Sequence, residues 1–420
     1  MIGMKIFLEN VAILKMADIE INGITVTAGL NGTGKTTVGK SVYATLNAYK
    51  DLPDKILNAR RDSIWREIFL GLRNHRDISK NYSPFDIAFK FDKELTNELL
   101  LTWKKEGDFV VKKDIYERLR KYDIIQREDI EILCEGISGV IERSDNDYIE
   151  YLVESYFNRV FKNQINHFCK TDKGRFEWES SELQFHMEFQ KNELLAYDYV
   201  SFFDQKAVYI ESQNVLDAFQ SYKTKSRHSE EISFVSNELF HLLGREAASQ
   251  ETLEDYMSAK EINNIVDVIM NKVTHGTLRM EGAEEFTFYD QSMDHSVDIS
   301  NLSAGLKIFV VIQRLLENGS LRKGDILLID EPEINLHPEW QVVFAEILVR
   351  MQKDLGIYIY LNTHSPYFIH AIEVKMAEHE IADRGKYYLM EKDVDGLCYS
   401  IDVTGNTEKI YELLYKPLEM

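Results

Sequence analysis

Ile24-Thr-Val-Thr-Ala-Gly29-Leu-Asn31-Gly32-Thr-Gly34-Lys35-Thr36-Thr37 passes from strand through turn to helix in one run. Ile24–Ala28 alternates with a period of two and is rich in β-branched residues, as a strand is. Between Thr36 and Tyr49, Val38, Val42 and Leu46 recur every four residues and mark one buried helix face. The turn between these elements, Gly29–Thr36, fits the pattern G-x-x-x-x-G-K-[ST]. Its glycines let backbone N–H groups curl around phosphate oxygens that a Cβ would obstruct. Lys35 is placed to reach β- and γ-phosphates, and the Thr36 hydroxyl is a ligand for Mg2+. The helix that starts here turns its positive end toward the same anion.

Three later stretches supply matching chemistry. Ile326-Leu-Leu-Ile-Asp330-Glu331-Pro332 is an apolar strand that emerges into two acids. In a doubly wound sheet, ligands sit at such carboxyl ends. There Asp330 would hold Mg2+, directly or through water, and Glu331 would orient or deprotonate the attacking water. Leu302-Ser303-Ala304-Gly305-Leu306-Lys307 opens a helix, and read alone its serine is a good helix cap. Leu361-Asn-Thr-His364-Ser-Pro366 ends the next buried strand; His364 is a candidate to contact a γ-phosphate, though a lone histidine at a strand end is more often structural.

The remainder of the chain reads as alternating helices and strands. Lys5–Leu8 and Ile19–Ile21 are strands ahead of the glycine turn. Short strands are expected at Phe85–Phe91, Glu98–Trp103, Phe109–Lys112, Phe176–Trp178, Leu183–Phe189, Glu193–Tyr199 and Lys206–Ile210. Leu278–Met280 and Glu285–Tyr289 read as a hairpin, and Ile308–Leu316 and Pro338–Met351 as helices. Glu391, Asp393 and Asp395 read as a solvated turn before Gly396. Over 420 residues with 44% hydrophobic and 28% charged content, this is a globular chain. No apolar run approaches the ~20 residues that cross a bilayer. Glu9 stands where a secretion signal would need its apolar core, so a cytoplasmic location is expected. Cys134, Cys169 and Cys398 are too scattered for a disulfide framework or thiolate zinc site. The net charge of −21 opposes protein-wide attraction to nucleic acid. Residues 50–80 run against it, with eight Lys and Arg to five acids. If DNA binds, Arg60, Arg61, Arg66 and Arg73 are the candidates; a solvated helix face is the simpler reading.

The ordered set of Gly29–Thr36, Leu302–Lys307, Ile326–Pro332 and His364 resembles the ATP-binding-cassette (ABC) ATPases. The Asp330-Glu-Pro-Glu-Ile-Asn-Leu-His-Pro338 run, with Asn362-Thr-His-Ser-Pro366, is similar to one branch of them. That branch holds chromosome-maintenance, break-repair and overcoming-lysogenisation-defect (OLD) ATPases, and the look is nearest to bacterial anti-phage defence ATPases of Septu, PARIS and retron type. The resemblance implies an α/β fold: an ABC-type P-loop head with a mixed sheet core, an antiparallel β subdomain and helical insertions. It implies a nucleotide-binding core from residues 1–48, 200–213 and 320–420. A helical and β-strand insertion would occupy 49–199, and a helical subdomain leading to the signature motif 214–319. ATP and Mg2+ are the implied cofactors. Asn31, Gly32, Gly34, Lys35, Thr36, Thr37, Ser303, Gly305 and Gln213 would bind nucleotide. Thr36 and Asp330 would hold the metal, with Glu331 and His364 catalytic. Gln213 is preferred to Gln205 as the glutamine that senses the nucleotide.

In the resemblance, two heads sandwich ATP, and Ser303 and Gly305 of one cap the γ-phosphate held by Lys35 of the other. The implied protein is a homodimer or higher homo-oligomer, a sensor or scaffold acting on a separate nuclease or toxin. DNA or RNA is a further candidate partner, and no membrane is involved. Near the start, Asn10-Val-Ala-Ile13 replaces the Asn-Phe-Arg-Ser type of run. The stretch after His364 is too short for the nuclease domain that several OLD-type relatives carry. A repair or chromosome-organising ATPase is the alternative, and a transporter energy subunit is disfavoured by the long spacer between Lys35 and Ser303.

Overall fold

The computed structural model describes residues 3–73, 113, 117, 127–167, 172–181, 183–198, 205–212, 215–217, 232–246, 253–281 and 285–416. The expected strands at 85–91, 98–103 and 109–112, and Gln213, lie outside the described residues. In chain order the first elements are β1 (Met4–Val11), β2 (Leu14–Ile21), β3 (Ile24–Gly29), α1 (Lys35–Tyr49) and α2 (Leu52–Arg73). Next come α3 (Arg127–Glu142), α4 (Asp145–Phe161), β4 (Gly174–Glu179), β5 (Gln184–Gln190), β6 (Glu193–Tyr197) and β7 (Ala207–Ile210). α5 (Phe234–Leu243), α6 (Leu253–Ile269), β8 (Gly276–Glu281), β9 (Glu285–Asp290) and β10 (His295–Asp298) follow. The last are α7 (Ala304–Glu317), β11 (Ile326–Asp330), α8 (Pro338–Leu355), β12 (Tyr358–Thr363), α9 (Pro366–Glu378), β13 (Gly385–Lys392), β14 (Cys398–Asp402) and α10 (Glu408–Tyr415).

Two units emerge from the internal packing. The larger comprises Met1–Lys50, Tyr156–Val200 and Asp204–Met420. It is built on an eleven-stranded mixed sheet in the order β6-β5-β4-β1-β2-β14-β13-β3-β12-β11-β7. β13, β3, β12, β11 and β7 run parallel, so their carboxyl ends emerge together. Such strands are covered on both faces and read as continuous apolar runs. Ile326–Ile329 accordingly are all fully buried. On α1, Val38, Val42 and Leu46 are fully buried, as their spacing predicts. On α7, α8 and α9, Phe344 lies 5.2 Å from Phe309 and 6.3 Å from Phe368. α8 stops at Gly356, whose φ of 66° is the left-handed turn that releases a helix.

β1, β2, β4, β5 and β6 are antiparallel neighbours and extend the same sheet. The three strands between 174 and 197, which the sequence reading grouped with a 49–199 insertion, therefore add to β1 in the main sheet. The expected hairpin at 278–289 is present as β8–β9, with β10 added to make a separate three-stranded sheet. Asp393 closes the acidic turn by accepting the N–H groups of Asp395 (2.9 Å) and Leu397 (3.0 Å).

The smaller unit comprises Asp51–Ser155 with Ser201–Phe203. Here the sequence reading of Arg60 is corrected. It is 7% exposed and donates to the carbonyls of Val140 (3.2 Å), Ile141 (2.9 Å) and Arg143 (2.6 Å), and to Asp145 at 2.7 Å. Its guanidinium also stands 4.5 Å from the centre of the Tyr148 ring. Arg60 thus satisfies the open carbonyls at the end of α3 and presents no charge for nucleic acid.

Candidate active site

The phosphate loop joins β3 to α1. Gly34, the residue ahead of the helix, has φ +86°, and a Cβ there would lie 2.6 Å from Leu14 Cδ2. Asn10-Val-Ala-Ile13 forms the tight β1–β2 turn, with Asn10 and Ala12 also left-handed. Asn31, Gly32 and Thr36 are exposed at the loop and its exit. Thr37 is half-buried, its carbonyl accepting the Ser41 hydroxyl. Lys35 is buried and donates to the carbonyls of Gly29 at 2.8 Å and Leu30 at 3.0 Å. Burial pushes its ammonium below the usual lysine range, against the opposing pull of Glu331, Asp330 and Glu333.

A row of polar side chains crosses the carboxyl ends of four parallel strands. Asp330, Asn362 and Thr27 are register partners on β11, β12 and β3. Asp330 Oδ1 accepts from Asn362 Nδ2 at 2.5 Å, and Asn362 Oδ1 accepts the Thr27 hydroxyl. Asp330 Oδ2 accepts the Thr36 hydroxyl at 2.9 Å and the Tyr209 hydroxyl, from β7, at 2.9 Å. Burial pushes the Asp330 carboxyl up, and its three donors pull it down.

The chain turns sharply after Asp330. Glu331 has φ +47°, rare for a side chain with a Cβ. Its N–H is fixed to the Asn362 carbonyl at 2.7 Å. His364 Nδ1 lies 3.4 Å from Glu331 Oε1 and 3.8 Å from Glu333 Oε1. Thr36, Glu211, Ser212, Asp330, Glu331, Ile334 and Asn335 line an open cleft of about 310 Å³. Glu211 is tied to Lys40 at 3.2 Å and accepts the Ser233 hydroxyl at 2.6 Å.

Lys35, Thr36, Asp330, Glu331 and His364 are thus brought into one neighbourhood. Ser303 and Gly305 are not among the cleft-lining residues. Ser303 caps α7 by backbone position, and its side chain makes no capping bond. Gly305 sits so close to Asn335 that a Cβ would lie 2.5 Å from its carbonyl oxygen. Lys307, beside them, is buried and paired to Asp217 at 2.6 and 2.7 Å.

No group of three or more His, Cys, Asp or Glu suited to a metal exists among the described residues. One carboxylate beside one hydroxyl nevertheless fits Mg2+. That ion keeps several waters and takes further oxygens from phosphates rather than from an all-protein cage. Tyr209, Asn362, Thr27 and Glu211 escaped the sequence reading. The signal was there for two of them: Thr27 and Asn362 are polar residues at the ends of otherwise apolar strands.

A phosphate loop facing a strand-end carboxylate across parallel strands defines a P-loop type of nucleotide site. Residues 4–369 match AAA_15, the AAA ATPase domain, and the chain belongs to that family. A Methanosarcina acetivorans protein that carries the name ABC transporter ATP-binding protein is 32% identical over 101 residues. That match spans 23% of this chain and 27% of the relative, about a quarter of the relative's length. Among solved structures, the chain is similar to an SMC head domain from Thermotoga maritima, with TM-score 0.41 and 10% identity over 96% of this chain and 99% of that one. It is similar also to the ADP conformation of an ATP-binding cassette of an ABC transporter, with TM-score 0.36 and 12% identity over 100% and 96% of the two chains. Among the described residues, no helix is long and apolar enough to cross a membrane.

Proposed function

We propose that this chain binds ATP with Mg2+ and hydrolyses it to ADP and phosphate. The observation that carries this reading is the 2.9 Å hydrogen bond from Thr36 to Asp330, which joins the phosphate loop to the strand-end acid. Lys35 exchanges its two loop carbonyls for phosphate oxygens, a charge-assisted replacement for neutral contacts. Backbone N–H groups from Asn31 through Thr37 hold the same phosphates at the positive end of α1. Thr36 and Asp330 would hold Mg2+, which when bound would supply charge neutralisation on the transferred phosphoryl group. Glu331, at the edge of the cleft, accepts a proton from the attacking water, and His364 donates to the γ-phosphate.

The finer reading rests on the motif order. Two copies close over two nucleotides, with Ser303 and Gly305 of each completing the site of the other and Gln213 sensing the bound state. This fits a cytoplasmic sensor or scaffold of an anti-phage complex that controls a separate nuclease or toxin. Calorimetry and phosphate release test the core reading: ATP with Mg2+ binds and turns over. Failure to bind ATP overturns it. Light-scattering sizing tests the closure: wild type associates on adding ATP–Mg2+, and Ser303→Arg binds ATP but stays apart. Association of Ser303→Arg at wild-type levels overturns the signature role.

A further inference from the structure

Glu331 and Glu333 both approach His364, but their surroundings differ. Glu331 lines the cleft; Glu333 does not and is 7% exposed. Glu333 Oε1 accepts the Thr363 hydroxyl at 2.6 Å and the His364 N–H at 3.3 Å. Thr363 Oγ1 in turn accepts the Ser365 N–H at 3.0 Å, and Ser365 Oγ accepts the Phe368 N–H at 3.2 Å, capping α9. One carboxylate oxygen therefore anchors the whole bend from β12 into α9, with His364 at its middle. The other oxygen, Oε2, is buried without a hydrogen-bond partner among the described residues. Burying a carboxylate this incompletely satisfied costs stability that an apolar side chain would not. Its position is accounted for by what it holds.

We propose that Glu333 is a positioning residue for His364: it fixes the strand-to-helix bend so that the imidazole meets the γ-phosphate, and it takes no proton from water. The inference rests on the proposed ATPase reaction and deepens it. Glu333 is unsuited to act on water itself, because Oε1 is committed to donors of its own chain and Oε2 is enclosed.

The test is a mutant cycle on the full chain, read by kcat for phosphate release and by ATP affinity from calorimetry. His364→Ala and Glu333→Ala each lower kcat by about ten- to a hundredfold, the worth of one charge-assisted hydrogen bond, with ATP affinity held within about threefold. The double variant is no slower than either single one, because both remove the same contact. Glu333→Gln, which keeps an oxygen for both donors, stays within about threefold of wild type in kcat. Thr363→Val keeps the shape but removes the hydroxyl, and its loss disappears in a His364→Ala background; this arm serves if Glu333→Ala fails to fold. Wild-type kcat in Glu333→Ala, additive losses in the double variant, or Glu333→Gln as slow as Glu333→Ala would each overturn the proposal. The last outcome would make Glu333 the base. A wild-type protein that binds no ATP brings down the proposed function and this inference together; one that turns over ATP normally while Glu333→Ala does too brings down the inference alone.

Discussion

The large sheet is two regions with different occupations. Across β3, β12, β11 and β7, strands run parallel, helices cover both faces, and every strand hands the chain into a loop at the same edge. Polar side chains gather at that edge: Thr27, Asn362, Asp330 and Tyr209 in one bonded row. Across β4, β1 and β2, neighbours run antiparallel, so carboxyl and amino ends alternate along each edge. That region is held by aromatic packing instead. Phe157 stands 5.0 Å from Phe176 and 4.8 Å from Phe189, and Tyr49 4.9 Å from Phe185. Trp178 is fully buried there. Parallel pairing concentrates loops, and chemistry follows the loops; antiparallel pairing spreads them and leaves a scaffold.

The comparison breaks if chemistry and stability do not separate along that line. The largest effect is expected at the parallel edge. Glu331→Gln should slow phosphate release by ~10²–10⁴-fold while ATP still binds by calorimetry, since the amide cannot take a proton. A wild-type rate would move the base elsewhere. Next comes the scaffold. Trp178→Ala should cost roughly 3–5 kcal/mol in denaturant unfolding, through lost burial and the cavity left behind. ATP affinity measured where the variant is still folded should stay at the wild-type value, and a parallel loss of affinity would show that the two regions are not separable. Lys35→Ala should then weaken ATP binding by about ten- to a hundredfold, without lowering thermal stability of the nucleotide-free protein.

The smallest effect sharpens the contrast, because it sets function against stability at one residue. Burial pushes the Asp330 carboxyl above its ordinary range, so the folded chain holds that proton more tightly than the unfolded chain does. Stability from this group is therefore lost as pH rises from the ordinary carboxylate range through the raised value. Asp330→Asn has no proton to lose, so its advantage over wild type should grow across that same window. Thermal unfolding from pH about 4 to 8, without nucleotide, measures it. The same variant should show no ATP–Mg2+-induced shift. A variant that gains nothing with pH, or keeps the shift, contradicts the assignment.

The residues easiest to read were those whose chemistry is local. Gly34 and Lys35 declare themselves because the phosphate-loop pattern sets a left-handed turn and a lysine next to each other in the chain. Asp330 and Glu331 declare themselves because an apolar strand ends on them. Tyr209 does not, since its bond to Asp330 depends on β7 lying beside β11, and that pairing joins residues 121 positions apart. The sheet order was illegible for the same reason: β3 is flanked by β13 and β12, both from the last part of the chain. Arg60 misled because a basic residue on a helix has two uses. Charge alone does not distinguish a solvated arginine from one turned inward onto the carbonyls of a neighbouring helix end.

If Glu331 is the base proposed above, its left-handed backbone sets durability against turnover. A side chain in that conformation costs roughly 1–3 kcal/mol, a cost that glycine largely escapes. Selection for heat resistance alone would drive position 331 toward glycine and discard the acid. On the proposed role of Glu331 as the base, glutamate persists there only where the reaction itself is selected. In any thermally stabilised descendant of this chain, the residue at 331 therefore reports whether turnover was kept.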